Sequence, residues 1–324
     1  MKINGIALCL ALLFLLISLG GCADGGNDET VTVVCTIFPI YDWVKNVVGE
    51  SESVEVILLV RDGTDLHSYQ PSAQDVVSLC SCDVLIRLGG STDGWVEEAL
   101  QKAPSKNRID LRLTELASLT LREIASESVA QSHEHDHGEH DHEECVVDEH
   151  IWLSLSNAET CVAAIAQTLT EVDSDGEERY RENQENYTER LRELDSSYQK
   201  MVSEANDPYL VVADRFPFVY LAEEYGIGYL AAYEGCSTDA DADAETVIRL
   251  ARALDERSLD YLVVTESGDT SLAESVIRAG EKKNQEVVTL DSLQSVTAKQ
   301  LEEGKTYLNT MESNLAVLRR VLSS

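Results

Sequence analysis

Basic residues are scarce in this chain of 324 residues: 25 Lys and Arg stand against 59 Asp and Glu, for a formal net charge of −34. A body this anionic repels phosphate, so nucleic acid is not expected as a partner, whereas cations are attracted and concentrated. No Cys-x-x-Cys pair occurs, which argues against a thiolate zinc knuckle. The serine elbow GxSxG, the phosphate-binding P-loop and the dinucleotide fingerprint GxGxxG are missing as well. Among enzymes only a metallohydrolase survives these absences, and the chain is read as a non-enzyme.

The beginning of the chain carries an export pattern. Lys2 precedes an uncharged, mostly apolar run from Ile6 to Leu19, too short to span a bilayer comfortably, with small residues at its end. Its closing Leu19-Gly20-Gly21-Cys22 resembles the bacterial lipobox, which implies cleavage before Cys22 and lipid attachment to that cysteine. Residues 1–22 are then a lipoprotein signal and 23–30 a short tether, placing the protein outside the cytoplasm and anchored to the cell membrane. Beyond Cys9 and Cys22 there remain Cys35, Cys80, Cys82, Cys145, Cys161 and Cys236, and their spacing specifies no disulfide pairing.

The remaining chain is long enough for two α/β lobes, each with a parallel sheet. Short β-branched runs at 31–38, 54–60 and 83–88 alternate with amphipathic stretches such as 73–81, and the rhythm returns in runs at 209–213, 228–232, 260–265 and 286–290. The first lobe is expected over 31–173 and the second over 207–324. Between them, Tyr180, Tyr187, Leu191, Leu194, Tyr198 and Met201 recur at helical spacing, predicting one long helix over 174–206 with Ser174 and Glu177 as a capping box. Lobes joined by a helix should hinge only slightly. A coiled-coil dimer is the alternative use of that stripe, and a monomer is the expectation. The stretch from Tyr307 to Leu322 predicts a closing helix packed on the second lobe.

Five of the seven histidines, His133, His135, His137, His140 and His142, alternate with acids in one run, 133–144, that has no basic and no apolar residue. Imidazoles suit zinc, copper and nickel, so the run is expected to act as an accessory metal-collecting loop that binds weakly at several stoichiometries. His133-Glu134 with His137 formally matches HExxH, but no amphipathic pattern surrounds it to hold a helix, and a peptidase is not expected.

The other two histidines stand in ordinary sequence. His67 lies in Gly63-Thr64-Asp65-Leu66-His67-Ser68-Tyr69-Gln70-Pro71, after the second strand run, and His150 in Asp148-Glu149-His150-Ile151-Trp152-Leu153. Loops at strand ends facing an interlobe cleft are the expected ligand surface of such a fold.

These two segments, with Tyr307-Leu308 and Asn314-Leu315 near the end, resemble the metal-binding solute-binding lipoproteins of ABC importers, the family that carries zinc or manganese. The resemblance spans the chain after Cys22. It implies two lobes joined by a rigid helix, a cleft site with one ligand from each quarter of the chain, and partners in a membrane permease and its ATPase. It further implies His67 and His150 as the first two ligands and Asp291, in Thr289-Leu290-Asp291-Ser292-Leu293, as the fourth. At the third position, where the family carries His or Glu, Arg215 is in register, and a guanidinium cannot ligate. Asp214, Glu234 and Glu266 are the alternatives, as is a site of three protein ligands and a water. Zinc is favoured as cargo over manganese by the histidine loop and by manganese's place at the weak end of the affinity order. A two-histidine, carboxylate-rich cleft also suits manganese or iron, so an importer component for those ions is the alternative, with a surface adhesin or a passive metal store as further readings.

Overall fold

The computed structural model describes residues 30–102, 107–124, 146–233, 243–266 and 268–323. The lipobox with Cys22, the histidine loop, Cys145, Glu234 and Cys236 lie outside them.

The N-terminal sheet is built from β1 (Val31–Cys35), β2 (Val54–Leu58), β3 (Val84–Arg87) and β4 (Ile109–Arg112), all parallel, in the order β2-β1-β3-β4. Helices α1 (Phe38–Val48), α2 (Ala73–Ser81) and α3 (Gly94–Lys102) make the crossovers. A short antiparallel pair follows, β5 (Glu123–Ile124) with β6 (Val146–Val147), then α4 (Leu155–Val172). After the linking helix α5 (Glu177–Glu204) the pattern repeats. β7 (Tyr209–Arg215), β8 (Gly228–Tyr233), β9 (Tyr261–Thr265) and β10 (Glu286–Leu290) form a parallel sheet ordered β10-β9-β7-β8, with α6 (Val219–Tyr225), α7 (Ala244–Glu256) and α8 (Thr270–Ala279) between strands. The chain closes with α9 (Ala298–Glu302) and α10 (Tyr307–Leu322).

In both sheets the first strand lies inside, with its successor on one side and the third strand on the other. The strand order therefore reverses beside β1 in one lobe and beside β7 in the other, and the carboxyl ends at such a reversal are where open α/β sheets leave a crevice for ligand. The expected strand runs are all recovered: those of the first lobe and β9 are shorter than expected, β7 and β8 run on to Arg215 and Tyr233, and β10 keeps its bounds. The first run stops at Cys35 because Phe38-Pro39 opens α1, with proline in the first turn where its missing N–H costs nothing.

The long helix begins later than its sequence suggests. Residues 174–176 form a 3-10 turn, Gly176 is the N-cap, and no side chain caps it, so the Ser174–Glu177 capping box does not form. Tyr180 packs its ring over Gly176, where a Cβ would lie 2.5 Å from its Cζ, and its hydroxyl donates to Asp173. The helix's apolar stripe is buried within this chain against α1 and α4, and so does not serve as a coiled-coil seam.

One continuous hydrophobic core runs from the inner face of the first sheet (Val33, Cys35, Ile86) through α1, α4, α5 and α10 to the inner face of the second (Leu210, Val212, Val263, Leu290). The outer faces carry separate smaller clusters. A core shared across both lobes removes the water-filled seam that a hinge needs. The closing helix strengthens this: besides the second lobe it packs on α1 and α5, with Tyr307 edge-on to Trp43 and Tyr198 donating to the Met311 carbonyl at 2.7 Å. Asp42, buried on α1, accepts from the Tyr307 backbone N–H at 3.0 Å and from the Tyr187 hydroxyl at 3.3 Å, so three helices meet on one carboxylate. Among the described residues no helix is long and apolar enough to cross a membrane, and Cys35, Cys80, Cys82 and Cys161 are free thiols.

Candidate metal site

His67 sits on a 3-10 turn, Leu66–Ser68, that begins at Asp65, whose side chain accepts the His67 backbone N–H at 2.8 Å. The turn is reached through Asp62 and Gly63, both at positive φ (60° and 77°). Gly63 then donates its N–H to the Val296 carbonyl at 2.9 Å, tying this loop of the first lobe to the loop that follows β10 in the second. A Cβ at position 63 would lie 3.3 Å from the Thr297 methyl, besides forcing a left-handed backbone on a substituted residue.

His150 is buried at 3% exposure, just before the turn Ile151–Leu153. Asp148, buried at 1%, takes both the His150 backbone N–H and its ring Nδ1 through Oδ1, each at 2.8 Å. A carboxylate at Nδ1 fixes the proton there, leaving the Nε2 lone pair as the donor face. The intervening Glu149 faces the other way, accepting from Ser91 and from the Thr92 N–H and hydroxyl. Gly90 permits this, since a Cβ there would be 2.4 Å from the Glu149 carboxyl carbon. Trp152 donates its indole N–H to the Ser292 carbonyl at 2.8 Å, a second tie between the lobes.

The two imidazoles face one another with ring centroids 5.5 Å apart. Rings bound through nitrogen to one tetrahedral zinc at about 2.0–2.1 Å would have centroids roughly 5 Å apart. The Nε2 of His67 is buried and has no hydrogen-bond partner among the described residues. A buried orphan nitrogen is costly unless something uses it, and beside a second imidazole the group that fits is a cation accepting both lone pairs.

On the other side, Glu266 and Asp291 leave the ends of adjacent strands, where Thr265 pairs with Leu290. Asp291 is clamped by Asn314, which accepts its N–H at 2.9 Å and donates to its carbonyl at 2.8 Å. Its Oδ1 accepts the Leu293 N–H and its Oδ2 the Lys305 ammonium at 2.6 Å. Glu266 accepts from the Ser292 N–H and hydroxyl, at 2.8 and 2.7 Å. Burial, and then the Asp291 charge, push its carboxyl above the usual range.

Asp214 is placed elsewhere. A bulge in β7 between Val212 and Arg215 turns its carboxylate to Thr265, whose N–H and hydroxyl reach it at 3.0 and 2.6 Å. It lines a hollow with Ala213, Val247 and Leu272, and in this conformation it is engaged by Thr265 and not by the two histidines. Arg215 ends β7, and its guanidinium makes no hydrogen bond or ion pair among the described residues. More generally, no three His, Cys, Asp or Glu side chains among the described residues converge tightly enough to hold one ion. The structure assembles the histidine pair and leaves the carboxylates of the second lobe engaged with other partners. Gln294 and Lys305, unremarked in the sequence, touch two of the expected ligands: the Gln294 amide nitrogen is 2.9 Å from His150 Nε2 and the Lys305 ammonium 2.6 Å from Asp291 Oδ2. Neither belongs to a recognisable motif, and only the spatial position reveals them.

Two parallel-sheet α/β lobes joined by a long helix, with the imidazoles of His67 and His150 side by side in loops of the first lobe, are the features that the chain shares with proteins of known family. The chain belongs to the family described as zinc-uptake complex component A, periplasmic, whose model matches residues 33–321. It is 29% identical over 323 residues to the zinc-binding lipoprotein AdcA of Streptococcus pneumoniae strain R6, covering 98% of this chain but 60% of that one. The high-affinity zinc uptake system protein ZnuA of Bacillus subtilis strain 168 is 25% identical over 299 residues, covering 92% of this chain and 89% of the relative. The crystal structure of the Zn(II)-bound ZnuA-like domain of the pneumococcal AdcA superposes with a TM-score of 0.72 at 25% identity, over 91% of this chain and 100% of that one. The chain thus spans about three-fifths of the length of the pneumococcal relative.

Proposed function

We propose that this protein captures a divalent transition metal, zinc, outside the cytoplasm and delivers it to an ABC importer's permease and ATPase. The observation that carries this reading is the facing pair His67 and His150, with the buried Nε2 of His67 left for a ligand. His67 and His150 are the first two donors, and Asp291 is the carboxylate that joins them when the ion arrives. Glu266, which follows the strand end beside that of Asp291, is a carboxylate candidate for the third position, with water as the other. The names of the pneumococcal and Bacillus relatives, both zinc proteins, support zinc as the cargo. Manganese is the second reading, favoured by a donor set poorer in imidazole than three histidines would make it.

Cys22 is the proposed lipid anchor, and the run His133 to His142 a weak collecting loop; the chain binds and releases its ion without turnover. The test is zinc titration of the protein with residues 133–144 deleted. One tight equivalent should remain, and His67→Ala should abolish it. Loss of all tight binding on deleting the loop would move the function to the loop and overturn the cleft assignment. Equal growth of wild-type and deletion strains under zinc starvation would contradict delivery to an importer.

A further inference from the structure

We propose that Lys305 and Gln294 are internal stand-ins for the ion, each holding one of its ligands until metal displaces it. This rests on the cleft assignment above. The Lys305 ammonium sits 2.6 Å from Asp291 Oδ2, with the lysine side chain only 10% exposed and its charge near the Phe38 ring at 5.9 Å. A cation so placed occupies the electrostatic position that a metal would take on that carboxylate. Gln294 does the same at the opposite ligand. Because Asp148 fixes the His150 proton on Nδ1, Nε2 is an acceptor, and the group 2.9 Å away from it must be the amide N–H₂ of Gln294 acting as donor. The lone pair needed for metal is therefore already engaged, by a side chain from the other lobe.

These two contacts hold the expected ligands apart. Asp291 is held toward the start of α10 by Lys305, and His150 is held by Gln294, so an ion must exchange both bonds before it can bridge the lobes. His67 alone is left open as the first point of attachment. The exchange has a functional consequence. Its cost is the same for every metal, so ratios of affinity do not change, but all affinities fall together. Ions at the weak end of the divalent series then drop below useful occupancy while strong ones remain bound.

The experiment uses the full chain, with a chelator holding free zinc below the level that loads the histidine run. Lys305→Met keeps the length of the stem and removes the charge; it should bind zinc at least tenfold more tightly, about 1.4 kcal/mol. Lys305→Arg should stay near the wild type, and in an Asp291→Asn background Lys305→Met should have no further effect. Gln294→Ala should tighten binding independently. Unchanged or weaker affinity in Lys305→Met would overturn the proposal, because a residue that merely steadies Asp291 would weaken the site when lost. Should Lys305→Met not fold, the carbon-13 resonance of the Lys305 Cε in the wild-type chain gives the same answer. It should shift on adding one equivalent of zinc, and not in His67→Ala; a resonance unmoved by zinc refutes the exchange. If the wild type loads zinc tightly but His67→Ala does too, the cleft assignment itself fails. If His67→Ala loses zinc while Lys305→Met is no tighter, only the stand-in role falls.

Discussion

Asp148→Asn isolates the charge behind His150. The carboxylate is 1% exposed and uses one oxygen, Oδ1, for both the backbone N–H and the ring Nδ1, so an amide can keep both hydrogen bonds through its own oxygen. What disappears is the negative charge that makes the imidazole a stronger donor and fixes its tautomer. Outer partners of this kind contribute about 10- to 100-fold in metal affinity. At about 1.4 kcal/mol per factor of ten, the expected loss is roughly 1.4–2.7 kcal/mol of zinc binding. The assay is chelator competition at fixed pH, alongside thermal unfolding of the metal-free protein to show that the fold persists. The Tyr220 hydroxyl contact runs to the Asp148 backbone carbonyl at 2.7 Å and is untouched by the change. Zinc affinity within twofold of the wild type would refute the reasoning, since it would mean that His150 is not a ligand or that Asp148 does not tune it.

Two further outcomes follow from the packing. Burial raises the Asp42 carboxyl to about 6, against an ordinary 3.8. The folded state thus binds that proton more tightly than the unfolded state, so stability is lost as pH rises from about 4 to about 6 and is level above, by an amount on the order of 2–3 kcal/mol. Asp42→Asn retains an acceptor for Tyr307 and should flatten that slope in urea unfolding; an identical pH dependence in the two proteins would contradict the assignment. Gly90→Ala should displace the Glu149 carboxyl, 2.4 Å from the new Cβ, and cost about 1–3 kcal/mol through overpacking. It should also weaken zinc binding by moving the adjoining His150, and an unaltered unfolding midpoint would show that the loop gives way freely.

Much of the scaffold was legible because its signals are local. The run 73–81 and the stretch 307–322 carry full helical periodicity and form helices with those bounds, and 286–290 is a strand as read. β4 was missed because Ile109-Asp110-Leu111-Arg112 is short and charged; its acid is explained only by Arg87, buried in β3 and bonded to Asp110 at 2.8 Å. The linking helix's capping box looked complete in sequence, yet residues 174–176 form a 3-10 turn and the helix starts from Gly176 without a side-chain cap. The site divided along the same line. His67 and His150 stand in motifs that announce themselves, and Asp148 lies in one of them, whereas the contacts of Lys305 and Gln294 reach across 14 and 144 residues of sequence. Asp214, adjacent to the register position, is engaged by the Thr265 N–H and hydroxyl, a contact across 51 residues that no local pattern announces.

The most direct measurement is anomalous diffraction at the zinc absorption edge from crystals of the protein loaded with one equivalent of zinc. The account predicts a single strong peak between the lobes, about 2.0–2.1 Å from the Nε2 atoms of both His67 and His150, with a carboxylate oxygen of Asp291 in the same shell and Lys305 withdrawn. A peak that lacks either imidazole, or a cleft without a peak while zinc is bound elsewhere on the chain, would contradict it.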